Sequence, residues 1–316
     1  MNPLLDFIQR NRVLAKIEKA HHTKSLSIEL DDYDIKSIPE ALLDCEIVST
    51  LNLARNSLTY LPSNFFQLRF LEHVSIEYNS FDHFPEVLKD LPHLTLLNIS
   101  HNPIRDLTNI GKLVNLQTFW CNSCCLSSFP EEIGDLFHLE TLGARNNQIT
   151  NLPNSICNLQ KLKWLTLEDN KLHLLPKRFE CLQQLIHLNL NKNNFSYIPM
   201  QLTKLKSLRF LHLQRNEFFS IPETVIANME YVKINLLHNP LSSSQEMDEL
   251  FPNLVLSGKE PENSVYDLPL DSDSSSDDWE NSLGSSELNF SLSESESDEE
   301  EVMFDVPKLS KFLVTF

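Results

Sequence analysis

The chain has 316 residues, and its 26 Lys and Arg against 44 Asp and Glu give a formal net charge of −18. This acidic balance disfavours nucleic acid and anionic membranes as main partners. With only 5 glycines, the sequence contains no GxGxxG and no GxxxxGK[ST] motif, so we expect no cofactor. No apolar run reaches the ~18 residues that a transmembrane helix needs, so we predict no membrane span.

Residues 1–24 are predicted to form a helical cap at the N-terminal end of the fold. Their apolar residues recur at helical spacing, which is typical of an amphipathic helix. The residues expected to form the apolar side are Leu4, Ile8, Leu14 and Ile17.

The N-terminus and the cysteines together indicate the compartment. Asp6 interrupts the only apolar stretch of the first residues, and no small-residue cleavage site follows, so a signal peptide is not expected. All 6 cysteines lie between Cys45 and Cys181, a distribution that favours free thiols in a reducing compartment. We therefore predict a cytoplasmic protein, with the nucleus as a second location.

From residue 25 onward the chain is a tandem repeat. The pattern LxxLxLxxNxLxxLPxxxxxLxx recurs in ten copies spaced by 23 residues, except for one step of 22 residues from Leu97 to Phe119. The fourth and sixth positions alternate with polar ones, which is the period of a strand. One strand per repeat, all in the same direction, predicts a parallel sheet. The residues at the fourth position are Ile28, Leu51, Val74, Leu97, Phe119, Leu142, Leu165, Leu188, Leu211 and Ile234.

Two further columns of the repeat predict the turn that follows each strand. The ninth position is Asn in eight of the ten repeats, and a buried Asn side chain can hydrogen-bond turn backbone groups that no ladder satisfies. The fifteenth position is Pro in eight of ten, where its fixed φ suits the exit from the turn. Cys121 and Cys124 take the sixth and ninth positions, so we interpret this CxxC as core residues and expect no metal site.

This repeat resembles the leucine-rich repeat superfamily, in the intracellular 23-residue LP-type form found in Ras-pathway and cell-polarity scaffolds such as Scribble and Erbin. The resemblance covers roughly residues 25–250. It implies an α/β fold, a leucine-rich-repeat solenoid (horseshoe) of about ten repeats with a parallel β-sheet on the concave face. We predict that the repeat domain, with its C-terminal cap, spans residues 25–256.

The third, fifth and seventh positions of each repeat face away from the core, and their aromatic residues cluster in the second half of the array. Exposed aromatic side chains on a rigid sheet are typical of binding hot spots. We predict an open slot, floored by Gly143 between Trp120 and Trp164, that accepts one partner side chain. The alternative is that the two indoles pack on each other or are covered by the C-terminal segment. The predicted partner-binding residues are Thr118, Trp120, Thr141, Gly143, Trp164, Thr166, His187, Phe210 and His212.

The two histidines of this set, His187 and His212, are expected to make partner binding depend on pH between about 6 and 7.5.

Residues 257–316 are predicted to be a disordered, acidic, Ser-rich tail. They hold 16 acidic residues and three Lys, and such a composition cannot bury enough apolar surface to offset the entropy of ordering. In residues 271–301, six serines stand three residues before a carboxylate, the pattern that acidophilic, casein-kinase-type enzymes require. The predicted phosphorylation sites are Ser274, Ser275, Ser291, Ser293, Ser295 and Ser297.

The chain ends in an apolar stretch, VMFDVPKLSKFLVTF, that suits a short docking motif. Val314, Thr315 and Phe316 have the form that some PDZ domains accept by strand addition. Lys311 before them loosely resembles the basic–Val–x–Phe motif of protein phosphatase-1 regulators, although the spacing is one residue too long.

No catalytic constellation stands out, so we predict a non-catalytic adaptor or scaffold in intracellular signalling that binds a protein partner on the concave face. Because caps would close both sheet edges, we expect a monomer. Two other functions remain open. Repeats followed by an acidic segment resemble the acidic leucine-rich nuclear phosphoproteins, which implies a binder or chaperone of basic proteins. A substrate receptor of a ubiquitin ligase is the other alternative.

Overall fold

The computed structural model describes residues 3–241 and 254–255. Within them, eleven strands form one parallel sheet whose spatial order follows the sequence order. The first ten strands each hold three residues centred on the fourth position of a repeat, so the predicted solenoid is confirmed. The strands are β1 (Ser27–Glu29), β2 (Thr50–Asn52), β3 (His73–Ser75), β4 (Leu96–Asn98), β5 (Thr118–Trp120), β6 (Thr141–Gly143), β7 (Trp164–Thr166), β8 (His187–Asn189), β9 (Phe210–His212), β10 (Lys233–Asn235) and β11 (Leu254–Val255).

Short helices return the chain from the end of one strand to the start of the next. Five of them begin after a proline whose φ lies between −65° and −71°, as the proline column predicted. The α-helices are α1 (Pro3–Thr23), α2 (Glu40–Leu43) and α3 (Glu223–Ala227). The 3₁₀ helices are Ser63–Gln67, Glu86–Asp90, Ile110–Lys112, Glu131–Asp135, Asn154–Asn158, Phe179–Cys181 and Leu202–Lys204.

The repeat that lacks proline returns by a different route. Thr108 takes the proline position, and the next residue, Asn109, has a left-handed backbone with φ 66°. Asn tolerates this conformation better than most residues. The helix that follows, Ile110–Lys112, has three residues, as do Phe179–Cys181 and Leu202–Lys204 in repeats of full length. The left-handed turn at Asn109 therefore distinguishes this repeat, not the length of its helix.

The core lies between the sheet and the returning helices. Residues at the fourth and sixth positions are buried along the array, and pairs such as Phe65 with Leu68 fill the layer behind them. Cys121 and Cys124 are buried core residues, as predicted. Burial raises the pKa of Cys121 well above its usual value and that of Cys124 to about 12, which makes both thiols poor nucleophiles.

The asparagine column, meaning the Asn residues at the ninth position, connects neighbouring repeats as the sequence predicted. The Oδ1 atom of Asn79 accepts the backbone N–H of Leu58 at 2.9 Å. Its Nδ2 donates to the carbonyls of Leu53, Ile76 and Glu77 at 2.9, 3.0 and 3.1 Å. One amide therefore satisfies turn backbone groups of two consecutive repeats, and the same arrangement recurs along the array.

The eighth position of every repeat has a left-handed backbone, and none of these residues is glycine. Their φ angles lie between 50° and 61°, a region that costs an L-residue about 1–2 kcal/mol. The backbone N–H there still joins the next repeat, as Tyr78 does to the Ser100 carbonyl at 3.0 Å. These left-handed residues are Asp32, Arg55, Tyr78, His101, Ser123, Asn146, Asp169, Lys192, Arg215 and His238.

Helix α1 packs on the first repeat, with an apolar side that differs from the prediction. Val13 and Ile17 are buried, whereas Ile8 is 41% exposed. The Nζ of Lys16 donates to the Glu29 carbonyl of β1 at 2.8 Å, so the helix also satisfies backbone at the first strand. The helix was predicted correctly, but of its predicted apolar residues Ile17 is buried, Leu14 is half-buried and Ile8 is exposed, while Val13 takes a buried place that was not predicted.

Several predictions fall outside the described residues. The acidic tail, its six serines and the C-terminal motif lie there, as does the predicted C-terminal cap except for β11. Within the described part, β11 pairs in parallel with β10. Among the helices of residues 3–241, none has both the length and the apolar character needed to cross a bilayer.

Candidate functional site: the aromatic row of the sheet face

The face of the sheet that points away from the core presents the third, fifth and seventh positions of each repeat. Parallel pairing in register places equal positions side by side on neighbouring strands. At the third position this aligns Trp164 with His187, His187 with Phe210, and Phe210 with Lys233. Three ring-bearing residues and a cation thus follow one another on β7 to β10.

Trp164, His187 and Phe210 form what we call the aromatic row. The Trp164 and His187 ring centroids are 4.8 Å apart with an interplanar angle of 18°, which is a stacked pair. His187 and Phe210 are 6.2 Å apart at 36°. Lys233 extends the row, with its Nζ 5.9 Å from the Phe210 centroid. Three of the predicted aromatic residues, Trp164, His187 and Phe210, are therefore in contact in one row.

His187 is the buried member of the row. It is 1% exposed, and its ring also lies 4.9 Å from that of His212. Burial, and secondarily the neighbouring His212, lowers the pKa of His187 to about 3. The imidazole is therefore neutral between pH 6 and 7.5, and the pH-dependent binding expected from His187 is not supported.

The predicted open slot at Gly143 is wrong, because the side chain of Trp120 fills it. A Cβ on Gly143 would overlap Cε3 and Cζ3 of the Trp120 indole. The indole thus lies flat over the neighbouring strand, where only a glycine leaves room for it. Gly143 is buried beneath the ring and cannot floor a site for a partner side chain.

The threonines predicted to flank the slot support the face from below. Thr141 and Thr166 are buried, and Thr118 is half-buried. Trp120 and Trp164 are partly exposed and make no ring contact with each other within residues 3–241, so they do not pack as a closed pair. Of the predicted site, the partly exposed rings are therefore those of Trp120, Trp164, Phe210 and His212.

A second stack, on the first half of the array, was not predicted. The Arg55 guanidinium lies 4.9 Å from the centroid of the Tyr78 ring, which stacks on His101 at 3.9 Å with an angle of 6°. All three belong to the left-handed eighth position. Their spacing of 23 residues was visible in the sequence, but a left-handed backbone that turns the side chains toward one another was not.

Comparison with known proteins identifies the repeat. A family model described as "Leucine rich repeat" matches residues 36–104, and one described as "Leucine-rich repeat region" matches residues 94–218. An adenylate cyclase of Schizosaccharomyces pombe is 28% identical over 146 residues, which cover 41% of this chain and 9% of that protein. The chain thus corresponds to less than a tenth of that relative.

Solved structures show the same architecture. A leucine-rich repeat protein of Leptospira interrogans superimposes with a TM-score of 0.60 and 27% identity, over 76% of this chain and 75% of that chain. A chain of the octameric complex of Latrophilin 3, Unc5D and FLRT2 gives a TM-score of 0.57 over 72% of this chain and 79% of that chain. The two chains are 20% identical, so this similarity concerns the fold alone.

Proposed function

The chain is a leucine-rich repeat protein, and from this premise we propose that it is a non-catalytic binding module whose protein partner contacts the aromatic row. Leucine-rich repeat proteins generally mediate protein–protein interactions, and their fold is typically non-catalytic. The partner lies across β5 to β9 and contacts the exposed edges of Trp164 and Phe210.

One observation carries this proposal. Partly exposed rings stand side by side on a rigid sheet, held there by stacking on His187 and by the backbone pairing of neighbouring strands. Aromatic side chains that are already fixed lose little entropy when a partner covers them. Such rings are the type most often found at the centre of protein interfaces.

The test is capture of cellular partners by the tagged full chain. Trp164→Ala and Phe210→Ala should each remove the main partner, whereas Phe137→Ala should retain it. Phe137 is a matched control because it is 52% exposed and lies away from the sheet. Partners that are retained by both row variants and lost from the control would place the interface elsewhere.

We also place the protein in intracellular signalling, as a cytoplasmic scaffold. Similarity to part of an adenylate cyclase, and the resemblance of the repeats to those of Ras-pathway scaffolds, support this assignment. The buried free thiols Cys45, Cys121, Cys124 and Cys157 suit a reducing compartment. If the Trp164-dependent partner is captured from another cell fraction and not from cytosolic extract, the cytoplasmic location is contradicted.

We further propose that the protein is a monomer. Helix α1 packs on β1, the first of the ten repeat strands, and β11 pairs with β10, the last of them. Each end of the row of repeat strands is therefore covered by a further element. Light scattering coupled to gel filtration should give a mass near 36.5 kDa, and twice that value would show a dimer.

A further inference from the structure

Charge is segregated along the sheet face and its two rims, the second and eighth positions that flank each strand. On β1 to β4 these positions hold five acidic residues and a single Arg. On β8 to β10 they hold four cations and no Asp or Glu. The acidic residues are Glu29, Asp31, Asp32, Glu72 and Glu77; the cations are Lys192, Arg209, Arg215 and Lys233.

The cations at the basic end are available to a ligand. Arg209, Arg215 and Lys233 are exposed, and none forms an ion pair with a carboxylate of residues 3–241. One guanidinium nitrogen of Arg209 donates to the backbone carbonyls of Lys206 and Leu208 at 3.2 and 3.1 Å. Lys192 pairs with Glu168 of the β7 repeat at 3.4 Å, at the boundary of this region. Within residues 3–241 the segregation is therefore kept, because Arg209, Arg215 and Lys233 make no ion pair there.

The basic end is continuous with the aromatic row. Lys233 lies over the Phe210 ring, and Arg215 follows β9, the strand that carries Phe210. Three strands span roughly 10 Å at ~4.8 Å per step, which is the reach of about three extended residues. A ligand that crosses these strands therefore meets cations first and aromatic rings directly afterwards.

We propose that the partner of the aromatic row is an extended protein segment with an acidic end followed by an apolar side chain; this rests on the proposed function. The acidic residues face Lys233, Arg209 and Arg215, and the apolar residue covers Trp164 and Phe210. Arginine binds carboxylates through paired donors, and cations that make no ion pair within residues 3–241 raise the rate of encounter with an acidic ligand.

An acidic peptide suits this face better than a nucleic acid. A uniform polyanion that continued along the sheet would reach the acidic residues of β1 to β4, and the net charge of −18 repels it as a whole. A peptide can place its carboxylates at one end only. The graded face, from cations through aromatic rings to carboxylates, matches a ligand whose charge changes along its length.

The experiment measures fluorescence anisotropy of a labelled peptide, four Glu followed by Phe and Leu, titrated with the full chain. Arg215→Glu with Lys233→Glu should weaken binding about tenfold or more, and added salt should weaken it further. The matched control, Lys161→Glu with Lys177→Glu, makes the same change in net charge at exposed residues outside the sheet. It should change the affinity by less than about twofold.

Two further probes separate the outcomes. A peptide with Lys in place of Glu, or a short single-stranded RNA, that bound as tightly to the same site would overturn the acidic specificity. No binding of the Glu peptide, with cellular capture still dependent on Trp164, would overturn this inference and leave the proposed function standing. If the Glu peptide does not bind and cellular capture does not depend on Trp164, both this inference and the proposed function are refuted.

Discussion

Gly143 is the residue at which the lack of a side chain matters most to the sheet face. Its hydrogen atom lets the Trp120 indole lie across β6, and the Trp120 ring covers the backbone there. The glycine is thus a packing requirement of one particular tryptophan. The same geometry explains why an open slot was expected and a filled one is found.

Gly143→Ala should destabilise the fold by about 1–3 kcal/mol, because the new methyl group displaces the indole. In a Trp120→Ala background the same change should cost almost nothing. Urea unfolding of the four proteins of this double-mutant cycle measures the coupling. Equal costs in both backgrounds would show that the ring does not occupy this place in solution.

His187 makes stability depend on pH. Burial lowers its pKa in the folded state to about 3, against 6.5 for an ordinary histidine. Between these values the unfolded chain binds the proton and the folded chain does not, so stability is lost as pH falls below about 6.5. At pH 5.0 the loss should approach about 2 kcal/mol relative to pH 7.5.

His187→Gln removes the titrating group, so the difference in unfolding free energy between pH 7.5 and pH 5.0 should shrink in this variant. Unfolding by urea at both pH values is the measurement. His173→Gln, at an exposed residue outside the row, is the control and should leave the difference largely unchanged. A difference that persists in full after His187→Gln would mean that other groups cause it.

At the scale of elements, the side chains of the asparagine column hydrogen-bond buried backbone groups in the turns along the array. Asn170 accepts the Ile149 N–H at 2.9 Å and donates to the carbonyls of Ala144, Leu167 and Glu168. Cys124 retains only part of this role, with its Sγ 3.5 Å from the Ile99 carbonyl. The column is therefore weakened in the repeat of β5.

Asn170→Ala should destabilise the fold by about 3 kcal/mol or more, because it leaves several buried backbone groups without a partner. Cys124→Asn should raise the unfolding free energy by about 1 kcal/mol by restoring an amide to the column. Asn194→Ala, at an exposed neighbour, should change it by no more than about 0.5 kcal/mol. Thermal and urea unfolding are the measurements. A destabilising Cys124→Asn would mean that the turn after β5 has no room for the amide.

The sequence predicted the elements well because each depends on contacts that recur every 23 residues. Strand positions, the asparagine column and the turn prolines all follow from that period. The details of the site do not, since they depend on single side-chain orientations. Which way Trp120 turns, and how deeply His187 is covered, is decided by neighbours on other strands that no local pattern encodes.

At the scale of the whole molecule, helix α1 covers the first strand of the array. Val13 and Ile17 are buried, and the Cys45 thiol lies 3.9 Å from the Ile17 carbonyl. Repeat proteins need such a cover, because an end repeat otherwise exposes its core. The end of the array is thus stabilised by contacts that the repeats themselves do not supply.

Deletion of residues 1–24 should lower the unfolding free energy by at least about 3 kcal/mol, since it removes the buried side chains Val13 and Ile17 and exposes the core beneath them. A chain that ends at residue 256 retains every described helix and strand and should melt close to the full chain. Thermal unfolding followed by circular dichroism compares the two. Equal melting temperatures for both truncations would show that α1 is dispensable.

The left-handed eighth position has a consequence for evolution of the surface. Glycine there would relieve backbone strain in every repeat, yet it would erase one rim of the sheet face, including Arg215. Arg215→Gly should therefore raise the unfolding free energy by up to about 1 kcal/mol and weaken binding of the acidic peptide. Lys161→Gly, by contrast, should destabilise the fold slightly. If both substitutions instead destabilise equally, the turn is not strained. If Arg215→Gly stabilises the fold and weakens binding, the side chains at the eighth position are kept for binding at a cost in stability. Selection for stability alone would favour glycine at this position.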